Sequence, residues 1–125
     1  MEFEKLTEKI INCAIEVHKT LGPGLLEKAY KECLYYKLCK SGLIVEKEKI
    51  LPLVFEELKV DSAYRIDLLV ENKIVVELKS IKKIEEIHLA QILTYMKLGK
   101  FKVGLILNFN VLSLKDGIKR VVNTF

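Results

Sequence analysis

Two runs with apolar residues at every second position, three residues apart, constrain this chain more than any other feature. The first is Tyr64-Arg65-Ile66-Asp67-Leu68-Leu69-Val70 and the second Ile74-Val75-Val76-Glu77-Leu78-Lys79, joined by Glu71-Asn72-Lys73. Side chains alternate across a strand, which predicts Ile66, Leu68 and Val70 on one face of the first, matched by Ile74, Val76 and Leu78 on the second. Arg65, Asp67, Glu77 and Lys79 then share the opposite face. A common apolar face requires opposed residues to have an even position sum, hence a loop of odd length. The three-residue loop satisfies this, setting Asp67 opposite Glu77 and Arg65 opposite Lys79. Like charges directly opposed destabilise a sheet by about 0.2–1 kcal/mol per pair. Two arrangements lift that penalty. A divalent cation between the carboxylates reverses its sign, or diagonal Asp67–Lys79 and Arg65–Glu77 contacts make a neutral, solvated quartet.

The 125 residues make one domain, 1–125, with room for one core. Half are hydrophobic and 30% charged, a globular rather than a disordered balance. The net charge of +4 permits contact with a polyanion without requiring it. Cys13, Cys33 and Cys39 fit no zinc or disulfide spacing. Cys13 and Cys33 lie among apolar helical neighbours and are expected as buried free thiols. The first residues lack the apolar core of a signal peptide, and no apolar stretch is long enough to cross a bilayer. The expectation is a cytoplasmic protein with no membrane contact.

Around the hairpin, the periodicity predicts a helix over residues 4–21, with Leu6, Ile10, Cys13, Val17 and Leu21 as its stripe and Gly22-Pro23-Gly24 as its stop. A second helix is expected over 25–40, with Leu26, Ala29, Tyr30, Cys33, Leu34, Tyr36 and Leu38 as largely apolar positions. Residues 43–54 read as an edge or terminating strand because of Pro52, and 56–61 as a turn. A third helix is expected over 84–98, with Glu85 and Glu86 at its positive end and Gly99 as its stop. Residues 103–109 are apolar on both faces, which predicts a central strand. The tail from 111 contains a short helical or extended piece ending in Val121-Val122. The order α-α-β-β-β-α-β predicts an α/β or α+β fold, a mixed sheet with helices packed on it.

Polar residues elsewhere add to the hairpin face. Glu27, in Gly24-Leu25-Leu26-Glu27-Lys28-Ala29-Tyr30, offers a third carboxylate with Tyr30 one turn on; an acid there also complements the helix dipole. His88, Gln91 and Tyr95 fall at i, i+3 and i+7, one polar stripe on an otherwise apolar helix. A lone helical histidine is commonly structural, and the absence of a second at ligand spacing argues against a histidine-rich metal site.

An acid on one strand, Glu-x-Lys on the next, a helical glutamate upstream and a glutamine on the following helix resemble the PD-(D/E)XK nuclease superfamily. Gly24-Leu25-Leu26-Glu27-Lys28-Ala29-Tyr30 resembles the GxxExxY signature of one family within it. The Tyr64-Arg65-Ile66-Asp67 approach, Val76-Glu77-Leu78-Lys79-Ser80, His88-Leu89-Ala90-Gln91 with Tyr95, and Leu107-Asn108-Phe109 match that family's pattern in order, over about residues 5–122. The chain departs in having Ile66 rather than proline before Asp67. The resemblance implies a restriction-endonuclease-like core and hydrolysis of nucleic-acid phosphodiesters, DNA before RNA. It implies Mg²⁺ or Mn²⁺ held by Asp67, Glu77, the Leu78 carbonyl and Glu27, directly or through water. Lys79 would orient or help deprotonate the attacking water, and Gln91 would position that water or the phosphate. Arg65, Tyr30, Tyr95 and His88 would bind substrate or support the site. Superfamily members that cut both strands often dimerise, so a homodimer is a candidate assembly. The alternative is a non-catalytic nucleic-acid-binding or protein-interaction module that keeps the fold.

Overall fold

The computed structural model describes residues 2–124. Helices α1 (Phe3–Leu21) and α2 (Glu27–Lys40) precede strands β1 (Val45–Phe55), β2 (Leu58–Val70) and β3 (Ile74–Lys79). Helix α3 (Glu86–Gly99), strand β4 (Val103–Asn108), a 3-10 turn (Leu114–Gly117) and strand β5 (Ile118–Val122) follow. The expected order holds, with a fifth strand in the tail. The five strands form one sheet in the order β1-β2-β3-β4-β5. Only β3 and β4 are parallel, because α3 carries the chain back between them. The expectation of a central strand is met by β4, flanked by β3 and β5 and buried from Gly104 to Asn108.

Helices α1 and α2 cover one face. Leu6, Ile10, Leu34 and Leu38 pack there against Leu68, Val70, Ile74, Val76 and Leu78. Helix α3 covers the other, where Ile92 and Met96 meet Ile66, Leu69, Val75 and Ile106. The three-residue loop and its register are as the alternation requires, with Leu68 opposite Val76 and Val70 opposite Ile74. Glu71 and Asn72 close the turn, both with left-handed backbone at φ +54°.

Several expectations fail for local reasons. Ile66 does not share a face with Leu68 and Val70; it packs on the α3 side. Strict alternation therefore breaks at Asp67, opposite which Glu48 of β1 takes a left-handed backbone (φ +54°). Cys33 is exposed, as are Leu26 and Tyr36, because only the i, i+4, i+8 row Tyr30, Leu34, Leu38 of α2 is fully covered. The turn expected over 56–61 shrinks to Glu56-Glu57, since β2 pairs with β1 out to Leu58. Pro52 lies where the register shifts between Leu51 and Leu53 on the edge strand, so its missing N–H leaves no ladder bond unmade. Gly99 remains helical, and Lys100 supplies the left-handed cap at φ +61°. A side chain at Gly99 would run into the ring of Phe101.

Candidate functional site

Strands β2 and β3 stop pairing by backbone at Leu68–Val76, and side chains take over. The Asp67 N–H donates to Glu77 Oε2 at 2.8 Å, and the Leu78 N–H donates to Asp67 Oδ2 at 3.0 Å. Each carboxylate thus replaces a ladder acceptor on the facing strand, leaving its second oxygen for another partner. Glu77 is only 6% exposed. Its burial and the negative charge of Asp67 push its pKa up to about 8, against smaller opposing effects from hydrogen bonding, Lys79 and Lys31. At neutral pH the buried Glu77 therefore keeps its proton unless positive charge is supplied beside it.

That charge comes partly from α2. The Asp67 carboxylate opens into a cavity of about 400 Å³ between α2 and the β1–β2 strands. Glu27, Lys31, Glu48, Arg65 and Leu78 line it as well. Lys31 Nζ lies 3.8 Å from Asp67 Oδ1 and 3.5 Å from Glu48 Oε1, and Arg65 reaches the same Glu48 oxygen at 3.5 Å. The neutral quartet, with Asp67–Lys79 and Arg65–Glu77 pairs, is not formed among the described residues. The break in alternation turns Arg65 and Asp67 toward α2, while Glu77 follows Val75 in facing α3.

Glu27, at the first position of α2, reaches the cavity as an exposed side chain. Tyr30 does not stand beside it. Its ring is fully buried and stacked on Phe109 at 4.5 Å. Its hydroxyl donates to the Gly22 carbonyl at 2.6 Å and accepts from the Leu25 N–H at 3.0 Å. Tyr30 thereby ties down the turn that starts α2 and presents Glu27. On α3, the stripe divides. His88 Nδ1 accepts from the Glu85 N–H at 2.9 Å, completing a capping box. Gln91 is exposed and lies outside the cavity lining. Tyr95 stacks on Tyr64 at 4.9 Å, and burial first, then the Glu77 and Asp67 charges, raises its pKa.

Lys79 ends β3 opposite Asn108 of β4. The buried Asn108 side chain accepts from the Ile81 N–H at 3.1 Å and donates to the Ile81 carbonyl at 3.0 Å. With the Phe109 N–H on the Lys79 carbonyl at 2.9 Å, this fixes the chain at Lys79 and two residues beyond it. Sequence reasoning gave Lys31, Glu48 and Asn108 no role in the site. Lys31 carried a signal, since it lies one turn beyond Glu27 on the same helix face. Glu48 carried none inside a run of alternating charges.

Among the described residues, no three His, Cys, Asp or Glu side chains stand close enough to hold a metal. The donors present are nonetheless a fit for a hard divalent cation. Two adjacent carboxylates, one buried and short of positive charge, supply oxygen ligands, and Mg²⁺ commonly takes one or two carboxylates with water and substrate completing its shell. Among the described residues, no helix is long and apolar enough to cross a membrane.

Searches of curated proteins and of solved structures give no match. A model of the PD-(D/E)XK nuclease superfamily matches residues 4–121. That span takes in both helices before the sheet, the broken hairpin with Asp67, Glu77 and Lys79, and α3. The chain belongs to the PD-(D/E)XK nuclease superfamily.

Proposed function

We propose that this protein is a metal-dependent nuclease of the GxxExxY type that hydrolyses phosphodiester bonds in nucleic acid, DNA before RNA. The observation that carries the reading is the buried Glu77 carboxylate set against Asp67 at a point where the hairpin gives up its own ladder. A structural sheet gains nothing from that arrangement. The exchange removes backbone pairing and leaves an anion whose ionisation burial opposes.

Asp67, Glu77 and the Leu78 carbonyl would hold Mg²⁺ or Mn²⁺, with Glu27 joining directly or through water. When bound, such an ion lowers the pKa of water and offsets charge on the phosphoryl oxygens. Lys79, fixed by Asn108 and the Phe109 amide, would orient the attacking water and stabilise the developing negative charge. Tyr95 and Arg65 flank the carboxylates from the α3 and α2 sides. His88 is engaged at the start of α3, so its part is to hold that helix. Gln91, on the exposed side of α3, would meet the substrate rather than the carboxylates.

The test is cleavage of labelled single-stranded, duplex and branched DNA and of RNA in Mg²⁺ or Mn²⁺, with wild type and Lys79→Ala prepared identically. Cleavage by wild type alone supports the reading and identifies the substrate class. Equal cleavage by both overturns the role of Lys79. No cleavage by either, with a Mn²⁺-induced rise in melting temperature, indicates a non-catalytic module that keeps the metal site.

A further inference from the structure

The cavity under α2 is lined by three cations, Lys28, Lys31 and Arg65, and four carboxylates, Glu27, Glu32, Glu48 and Asp67, and within it Lys31 and Arg65 are arranged around Glu48. Lys31 has a side chain only 14% exposed, and its Nζ lies 3.5 Å from Glu48 Oε1. Arg65 NH1 lies 3.5 Å from the same oxygen, so the two nitrogens are within twice that distance of each other. Both contacts exceed the roughly 2.7–2.9 Å of a charge-assisted hydrogen bond, so neither cation spends its donors on Glu48. Glu48 has a left-handed backbone at φ +54°, disfavoured for any residue with a Cβ. That conformation makes consecutive residues of β1 reach the same helix, Lys47 to Glu32 and Glu48 to Lys31. Regular alternation would send one of them to the other face. The strand departs from its geometry where doing so gathers an ammonium and a guanidinium at the edge of the carboxylate pair.

We infer that Lys31 and Arg65, spaced by Glu48, form the seat for a substrate phosphodiester on the α2 side of Asp67 and Glu77. The inference rests on the nuclease reading and adds the group that receives the substrate's backbone. The non-bridging oxygens of one phosphate can accept from two cations at this spacing. A guanidinium offers a planar pair of donors, and an ammonium a compact charge. Lys31 also lies 3.8 Å from Asp67 Oδ1, which sets the seat next to the reacting centre rather than along a remote groove. Lys28 lines the same cavity with an exposed side chain, and of the acids there Glu32 is already paired with Lys47 at 2.7 Å.

The test is binding of short fluorescein-labelled DNA, single-stranded and duplex, and of a matching RNA, to the full chain in Ca²⁺ across a series of salt concentrations. Melting curves with and without Mn²⁺ are recorded in parallel. Lys31→Met should weaken binding about tenfold and lower the slope of log affinity against log salt by about one. Arg65→Ala should do the same, and Lys31→Arg, which keeps the charge, should retain binding. The Mn²⁺-induced rise in melting temperature should survive in Lys31→Met, because the carboxylate pair is untouched. Wild-type binding and slope in Lys31→Met overturn the phosphate seat and leave the nuclease reading standing. Joint loss of binding and of the Mn²⁺ shift in Lys31→Met and Lys31→Arg also overturns it, making Lys31 a support for Asp67. A wild type that binds neither DNA nor RNA overturns both readings.

Discussion

The two hairpins that share β2 are held together by different means. Strands β1 and β2 pair from Val45–Val70 out to Phe55–Leu58, yet Val54, Phe55, Leu58 and Val60 near the tip are exposed. Strands β2 and β3 make three backbone pairs, and every residue from Ile74 to Leu78 is buried. A net hydrogen bond contributes about 1 kcal/mol, whereas burying an aliphatic side chain contributes about 1.5–3 kcal/mol. The hairpin with fewer bonds is therefore the more firmly anchored. The two carboxyl groups lie in that one, where a rigid surround holds Glu77 beside Asp67 although their repulsion and its burial oppose its ionisation.

The sharpest way to break this comparison is Asp67→Asn. The asparagine oxygen still accepts from the Leu78 N–H, so the hairpin keeps its geometry. Cleavage should fall at least about a hundredfold, the scale for losing a charged group at a reacting centre. The metal-free protein should melt no lower than wild type at pH 8, because the charge opposing ionisation of Glu77 has gone. A large loss of stability would make Asp67 a structural residue.

Glu77 gives the next largest effect. Its folded pKa of about 8 lies above the ordinary value of 4.5. Below pH 4.5 the group is neutral in both states and carries no penalty. Between 4.5 and 8 the unfolded chain ionises while the folded one keeps its proton, so stability falls as pH rises, reaching its full loss above 8. The loss is on the order of a few kcal/mol. Glu77→Gln should remove that slope, so the difference in melting temperature between variant and wild type should grow from pH 5 to 8 without metal. Mn²⁺ should narrow it at pH 8 by stabilising only the folded wild type. Parallel pH profiles for the two proteins would show that Glu77 is not held as an uncompensated anion.

How much of this was legible depends on how local the cause was. The loop length, the register of β2 against β3 and the central place of β4 follow from the spacing of apolar residues, and all three are met. The face of Ile66 could not be read, because the break in alternation is made jointly by Asp67 and by Glu48 on another strand. Tyr30 lies close to Glu27 in sequence, but its neighbour in space is Phe109, just past the end of β4. Cys33 looked buried because its flanks are apolar, while α2 covers only one row of its surface. The site was legible as a set of residue types, and its division between the α2 and α3 sides of the sheet was not.

Gly104 tests the anchored side by packing alone. A Cβ there would lie 2.7 Å from Met96 Sδ and 3.0 Å from Ile92 Cδ1, under α3. Gly104→Ala should destabilise by about 1 kcal/mol, lowering the melting temperature by a few degrees, since the flexible ends of Met96 and Ile92 must move aside under α3. A melting temperature equal to wild type would mean that Met96 and Ile92 repack at no cost, so the packing under α3 is less tight than its burial suggests.

The smallest effect should come from the tip of the other hairpin. Phe55 is 64% exposed and Leu58 60%, opposite each other at the end of the long ladder. Serine at either position removes little buried area and leaves the backbone pairing in place, so Phe55→Ser should change unfolding stability by less than about 0.5 kcal/mol. DNA binding should also match wild type, because the tip carries Glu56 and Glu57, whose charge opposes a polyanion, and lies outside the lining of the Lys31–Arg65 cavity. If Phe55→Ser instead weakened DNA binding as much as Lys31→Met, the substrate path would run along the ribbon. The exposed hairpin would then share the work assigned to the buried one.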